Sequence, residues 1–373
     1  MRIEVNGPFR GPSGHDRHTR EFVRAMVRFG AQVQLKSVEG WSPELPGDLR
    51  EAWFETLTTP LDADAVLHFM MPNRCRPRCD RPNVNYTMFE ANGIPADWVA
   101  RAREHRRIVV PTDACRQAWM RSGVPDSQVR VCPLGVDGEY FSKKVEPLAL
   151  PGPTGRPVTS YRTRFLNIAD LRPRKNHVGL LRTWIRATRS RDEAILILKC
   201  MSSPHLLEIF NEDLARMQRE IGRTFAEAAP VILLTSLLGD EEIRALYQTA
   251  THYISMSNGE GWDLPMMEAA TAGLHLIAPN HSGYKTYLEG GDAELVPATE
   301  ADARFEGRVG QEDHIYFDGL SWWRPDEDAA AEVIARIIRA DGLPKPSPAK
   351  RIRAQFTWER AAACLLKIIE EVV

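Results

Sequence analysis

Short apolar runs alternate with amphipathic stretches along nearly the whole chain, and that rhythm restricts the folds open to it. Apolar runs of this length suit strands buried on both faces, while a 3.6-residue apolar period suits helices laid across them. The alternation predicts parallel α/β layers. Strands are expected at Ile3–Val5, Val33–Leu35, Ala65–Phe69, Ile108–Pro111 and Val129–Pro133, with helices over 17–29 and 113–121. A second series places strands at Phe165–Ile168, Ala194–Leu198, Val231–Leu233, Tyr253–Met256 and Leu274–Ala278, and helices at 176–188, 204–220, 240–249 and 265–272. Residues 301–325 read as an irregular excursion, and Thr357 opens a closing helix.

Between the two series stand Pro147, Pro151, Pro153 and Pro157 with Gly152 and Gly155, a composition that cannot sustain a helix or a central strand. A linker over 146–157 is therefore expected, joining domains at 1–145 and 158–356. A chain of 373 residues also exceeds the usual size of one hydrophobic core.

A net charge of −2 gives no basic surface for nucleic acid, so no nucleic-acid partner is expected. Arg74, Arg76, Arg78 and Arg81 read as a solvated loop that leaves room for peripheral contact with an anionic membrane. No stretch is long and apolar enough for a transmembrane segment, and Met1–Gly7 lacks the core of a signal peptide. Six scattered cysteines do not form a disulfide framework, and Cys75-x3-Cys79 has no second pair to complete a zinc site. The expectation is a cytoplasmic protein with reduced thiols.

The most specific stretch is 257–273. Pro265 suits the start of a helix, because its fixed φ is helical and its missing N–H has no partner there. Gly273 suits the left-handed residue just past the end. Glu260 then lies in the loop before the helix and Glu268 about one turn inside it. Between them, the N–H groups of the first turn carry the positive end of the helix dipole, an arrangement suited to phosphate with carboxylates for sugar hydroxyls on each side. The spacing E-x7-E alone is weak, since any amphipathic helix with these ends would show it.

The wider pattern is more specific. Glu-Gly-Trp-x-Leu-Pro-x-x-Glu-Ala-x-x-Ala-Gly, followed by Leu274–Pro279, resembles the signature of the retaining family 4 glycosyltransferases. Asn85–Glu90, Ile94–Val99, Val110–Thr112, Pro133–Asp137, Asn167–Asn176 and Phe356–Trp358 follow in that family's order. The resemblance implies the GT-B fold, with two Rossmann-like domains facing across a central cleft. It puts a nucleotide-sugar donor on the second domain, the acceptor mainly on the first, and helix 357–373 back on the first. The implied reaction is metal-independent, retaining transfer of a sugar to a hydroxyl of a glycan, lipid-linked sugar or small natural product. No cofactor is expected. Two alternatives stand beside it: a GT-B nucleotide-sugar epimerase, and a non-catalytic glycan-binding protein of this fold.

Lys175 is the expected phosphate ligand, because a cation fixed beside a departing diphosphate lowers the barrier. Arg174 or Arg172 supplies the second cation; Ala169-Asp170 stands where the family commonly has Gly-Arg, so the choice between them stays open. By resemblance, Glu268 takes the ribose and Glu260 the transferred sugar, with the backbone of Gly261, Trp262, Asp263 and Leu264 orienting sugar and phosphate. Asp263, where the family usually has glycine, either caps the helix or adds a carboxylate near the sugar. The loop Gly11–Asp16 carries Gly14, whose backbone can approach a pyrophosphate, and His15 and Asp16 as candidates to contact acceptor or phosphate. Asn73 and Glu90 are further acceptor-side candidates at strand ends; the resemblance implies a histidine after the strand Ala65–Phe69, but His68 reads as a buried strand residue and Met70 fills the position after it. No Asp-x-Asp metal motif follows a strand. Trp322, Trp323 and Trp358 read as packing residues.

Overall fold

A computed structural model describes residues 1–38, 40–153, 155–340 and 344–373. Twelve strands form two six-stranded parallel sheets. The first contains β1 (Arg2–Asn6), β2 (Gln32–Lys36), β3 (Ala65–Phe69), β4 (Asn83–Tyr86), β5 (Arg107–Val110) and β6 (Val129–Val131), in the order β2-β1-β3-β4-β5-β6. The second contains β7 (Thr163–Ile168), β8 (Ala194–Lys199), β9 (Val231–Leu234), β10 (His252–Ile254), β11 (His275–Pro279) and β12 (Glu294–Val296), in the order β12-β11-β10-β7-β8-β9. Every residue of β3 and β8 is buried, as parallel strands covered on both faces require.

The polypeptide divides into two compact units, one of residues 1–137 with 354–373 and the other of 138–353. The proline-rich stretch that reads as a linker belongs to the second unit. Leu148 N–H donates to Ala245 O at 3.1 Å, and the Phe141 ring packs edge-on to Tyr247. Proline excludes regular structure there, but it leaves carbonyls and side chains free to dock on a neighbour.

Within the first unit the helix Trp358–Glu370 lies against the helix Gly14–Arg28. The Trp358 and Phe22 rings meet at 5.4 Å, Arg28 pairs with Glu359 at 3.1 Å, and Cys132 Sγ donates to Ala361 O at 3.4 Å. In the second unit, Leu180, Leu181, Trp184 and Ile185 of the helix His177–Ala187 close over β7 and β8. Burying each of these side chains is worth ~1.5–3 kcal/mol. Trp184 also satisfies its indole N–H on Ala229 O at 2.9 Å.

Residues 301–325 are more regular than the sequence indicates. β13 (Ala298–Asp302) pairs antiparallel with β14 (Ser321–Pro325), so the excursion is a long hairpin with a polar tip. Trp322 stacks on Phe305 at 5.4 Å, and cross-strand pairing supplies the order that periodicity does not reveal. All six cysteines are free thiols. Among the described residues, no helix is long and apolar enough to cross a membrane.

Candidate functional site

In the second sheet the strand order reverses between β7 and β10, so the loops leaving their C-terminal ends diverge and open a crevice. The loop after β7 makes a 3₁₀ turn, Pro173–Lys175, that ends at Asn176 in the left-handed region (φ 53°). Asn176 tolerates that conformation because its short amide bonds locally. It accepts from Gly179 N–H at 3.1 Å and donates to Met256 O at 3.0 Å. A side chain at 179 would press within 2.4 Å of the Asn176 amide, which accounts for the glycine.

The loop after β10 is tied to that turn through one carbonyl. Arg174 O accepts from Asn258 N–H at 2.8 Å and from Ser257 Oγ at 3.1 Å. Arg174 and Lys175 are thereby fixed beside Glu260. Lys175 Nζ lies 2.6 Å from Glu260 Oε1, and the Arg174 guanidinium lies 3.0 Å from Oε2 while also donating to Gly259 O. The Glu260 side chain is 4% exposed, but the two cations keep 18% and 19% exposure, so they reach solvent over a carboxylate that does not. Burial raises the Glu260 pKa, yet Lys175 and Arg174 outweigh it and hold the group well below the ordinary carboxylate range. It stays ionised.

The following helix, Leu264–Ala272, begins one residue earlier than Pro265 alone indicates. Asp263 caps it from a left-handed backbone (φ 74°), and its Oδ1 accepts from Met266 N–H at 3.3 Å. Of the two roles open to Asp263 in the sequence, capping is therefore one it fills, and the cap occupies one of the first-turn donors. Asp263 Oδ2 accepts from Tyr284 O–H at 2.8 Å, and that hydroxyl lies 2.7 Å from Ser255 Oγ. Burial, reinforced by the negative charge of Glu260, pushes the Asp263 pKa up. Two carboxylates three residues apart are thus driven in opposite directions. Glu268 is buried one turn into the helix, where Tyr247 O–H donates to its Oε2 at 2.8 Å. Gly261, Trp262 and Leu264 complete the loop, with Tyr287 O–H donating to Trp262 O at 2.7 Å.

Arg172 is not part of this cluster. It is about half exposed and pairs with Glu312 at 3.0 Å and Asp313 at 3.2 Å on the hairpin tip. Of the two arginines that the sequence left open, Arg174 is the one at Glu260.

A third segment went unread in the sequence. His281–Gly283, after β11, closes over the Glu260 peptide: Gly283 N–H donates to Glu260 O at 3.0 Å. A Cβ at 283 would stand 2.8 Å from that oxygen. Tyr247, His281, Tyr284 and Trp323 carried no local signal, since they reach the site from three separate segments, His281 and Tyr284 sharing the one after β11.

Of the first-unit candidates, Gly14 and His15 follow β1 and Asn73 follows β3, the two strands of the corresponding reversal, whereas Glu90 follows β4. Ser13 and Asp16 form a capping box on the helix Gly14–Arg28. Gly11 is crowded by its own chain, with Ser42 Oγ 2.0 Å and Pro43 O 2.8 Å from a built Cβ, whereas Gly14 has open space. The absent side chain at Gly11 thus serves internal packing. His15 packs on Trp41 at 4.9 Å, and Glu90 is half-buried. Asn73, in the turn after β3, has a buried Oδ1 with no partner among the described residues. His68 is buried inside β3, with Nε2 3.4 Å from Asn83 Oδ1; burial, helped by His105, lowers its pKa to about 4. Among the described residues, no three His, Cys, Asp or Glu side chains are grouped to hold a metal ion.

No protein-family model matches the sequence, and no curated protein matches it. Solved structures match at the level of fold. HepE from Anabaena, solved with UDP and glucose, superposes with a TM-score of 0.66 at 13% identity over 100% of both chains. The fold is GT-B. Sucrose-phosphate synthase from Thermosynechococcus elongatus shares it, with a TM-score of 0.65 at 14% identity over 100% of this chain and 98% of that one. A glycosyltransferase from Rickettsia africae gives 0.61 at 15% identity over 100% and 98%. In the GT-B fold of this chain, the Glu260 cluster occupies the strand-order reversal of the second sheet.

Proposed function

We propose that the protein is a retaining, metal-independent glycosyltransferase that moves a sugar from a nucleoside-diphosphate-sugar to an acceptor hydroxyl. The observation that carries this reading is the pair of partly exposed cations, Lys175 and Arg174, anchored on the buried Glu260 beside the Leu264–Ala272 helix. The reading is supported by the fold shared with HepE, which was solved with UDP and glucose.

In this reading the cations take the diphosphate. Held in place before substrate arrives, they meet the charge that grows on the leaving group without reorganising. Glu260 contributes a fixed negative charge near the anomeric carbon and an acceptor for sugar hydroxyls. Glu268, oriented by Tyr247, takes the ribose. With two cations to neutralise the diphosphate, a divalent ion has no necessary role. The departing phosphate itself draws the acceptor proton on the face it leaves, which keeps the anomeric configuration. The acceptor belongs to the first unit, with His15, Asn73 and Glu90 as the candidate residues to meet it.

A thermal-shift panel with UDP, GDP, ADP and their sugar conjugates, in EDTA and in magnesium, tests the donor site. A ligand at one hundred times its dissociation constant stabilises by ~2.7 kcal/mol. One nucleotide class should stabilise the protein in EDTA, and Lys175→Ala and Glu268→Ala should abolish the shift. No shift with any nucleotide would overturn the reading. The anomeric proton of the product, followed by NMR during transfer, tests retention.

A further inference from the structure

His281 is buried at the back of the Glu260 loop, and two of its contacts fix its protonation. Its Nε2 lies 2.7 Å from Ser257 O, and a carbonyl only accepts, so Nε2 carries the hydrogen. Its Nδ1 lies 2.7 Å from Ser282 Oγ. In a neutral ring that nitrogen is bare and accepts the Ser282 hydroxyl hydrogen. A lone pair of Ser282 Oγ is then left for Glu260 N–H, 3.4 Å away. A chain of donors runs from Glu260 N–H through Ser282 and His281 back to Ser257 O, closing a ring around residues 257–260.

The ring plane is held as well. Trp323 of β14 stacks on His281 at 5.4 Å with the planes 14° apart, and Tyr284 meets its edge at 5.5 Å. Trp323 N–H donates to Asn258 O at 2.8 Å. The hairpin thus supports both the imidazole and the loop that the imidazole ties. Burial lowers the His281 pKa to about 4, opposed by the Ser257 carbonyl and Glu260, with Arg174 and Lys285 the other charges acting on it. The ring is neutral at neutral pH, as its two contacts demand.

We propose that His281 is a positioning residue for Glu260, a single-tautomer imidazole that, through Ser282 and backed by Trp323, sets the carboxylate against Lys175 and Arg174. This inference rests on the donor-site reading above. Small displacements matter at such a site: misplacing a reacting group by about 1 Å costs on the order of 10²-fold in rate.

The test compares His281→Phe, which keeps a ring against Trp323 but loses both hydrogen bonds, with His281→Asn, whose amide oxygen still accepts from Ser282. His281→Phe should lower kcat ~10–100-fold while the dissociation constant for the stabilising nucleotide changes less than ~3-fold. His281→Asn should recover part of the rate. Adding Ser282→Ala to His281→Phe should cost little more, because the two act as one chain. In the intact wild-type protein, ¹⁵N NMR should show His281 as the neutral Nε2–H tautomer from pH 5 to pH 8.

Full turnover in His281→Phe would overturn the proposal, as would equal losses in kcat and nucleotide affinity. So would an Nδ1–H tautomer or a titration between pH 5 and pH 8. A wild-type protein that binds no nucleotide would instead sink the donor reading, and the NMR tautomer would still decide whether His281 holds the Glu260 peptide.

Discussion

Asp16 and Glu260 are both buried carboxylates beside a strand-order reversal, one in each sheet, and they are satisfied by opposite means. Asp16 accepts from Gly11 N–H at 2.7 Å, Ser13 N–H at 3.2 Å, Ser42 Oγ at 2.8 Å and Ser13 Oγ. All its partners are neutral and local to the loops it ties. Glu260 instead spends both oxygens on cations from another loop, and those cations retain access to solvent. A carboxylate held by neutral donors secures a fold. One held by cations also stores positive charge that an incoming anion can use.

The largest expected effect comes from breaking the charged side of this contrast. Lys175→Ala should lower donor turnover ~10²–10³-fold, the scale of losing one preorganised charge-stabilising donor, as measured by initial rates at saturating donor. A smaller loss would mean that Arg174 alone holds the diphosphate. Next is the neutral side. Asp16→Ala removes a helix cap and orphans several donors, which should cost about 2–4 kcal/mol in chemical denaturation. Nucleotide affinity should stay within about two-fold; a larger change would give Asp16 a role in binding and collapse the distinction.

A pH series sharpens the contrast within the second unit. Because the folded pKa of Asp263 is raised, its contribution to stability is full below the ordinary carboxylate pKa and is lost as pH rises through the folded value. Glu260, whose pKa is lowered, contributes above the ordinary value and loses that contribution only in strong acid. From pH 4 to pH 8, wild type should lose melting temperature relative to Asp263→Asn, an exchange that the left-handed backbone accepts. A constant difference between the two would show that the Asp263 charge is not penalised in the fold. The smallest effect belongs to Arg172→Ala. An exposed pair of this kind is worth ~0–1 kcal/mol, and turnover should stay within about two-fold of wild type.

The sequence made the alternation of strands and helices legible, because buried parallel strands and amphipathic helices carry their periods locally. The helix ends at Pro265 and Gly273 were readable for the same reason, and with them the neighbourhood of Glu260 and Glu268. What could not be read depends on contacts between distant segments. Arg172 and Arg174 are equivalent in a linear reading, and only the turn ending at Asn176 aims one at Glu260 and leaves the other to Glu312. The β13–β14 hairpin is polar along most of its length and is defined by pairing, not by apolar period. His281 sits in a short loop and acquires its significance from Ser257, Ser282 and Trp323, which lie on either side of it in the chain.

The return of residues 354–373 to the first unit has a consequence for synthesis. The strands that this unit needs emerge early, but Trp358, which packs on Phe22, emerges only after residues 138–353 have been made. At roughly 5–20 residues per second, that delay is on the order of 10–40 s. For that interval the apolar face that Trp358 covers has no such partner in the chain already made. The unit begun first therefore lacks one of its packing partners until residue 358 has been added.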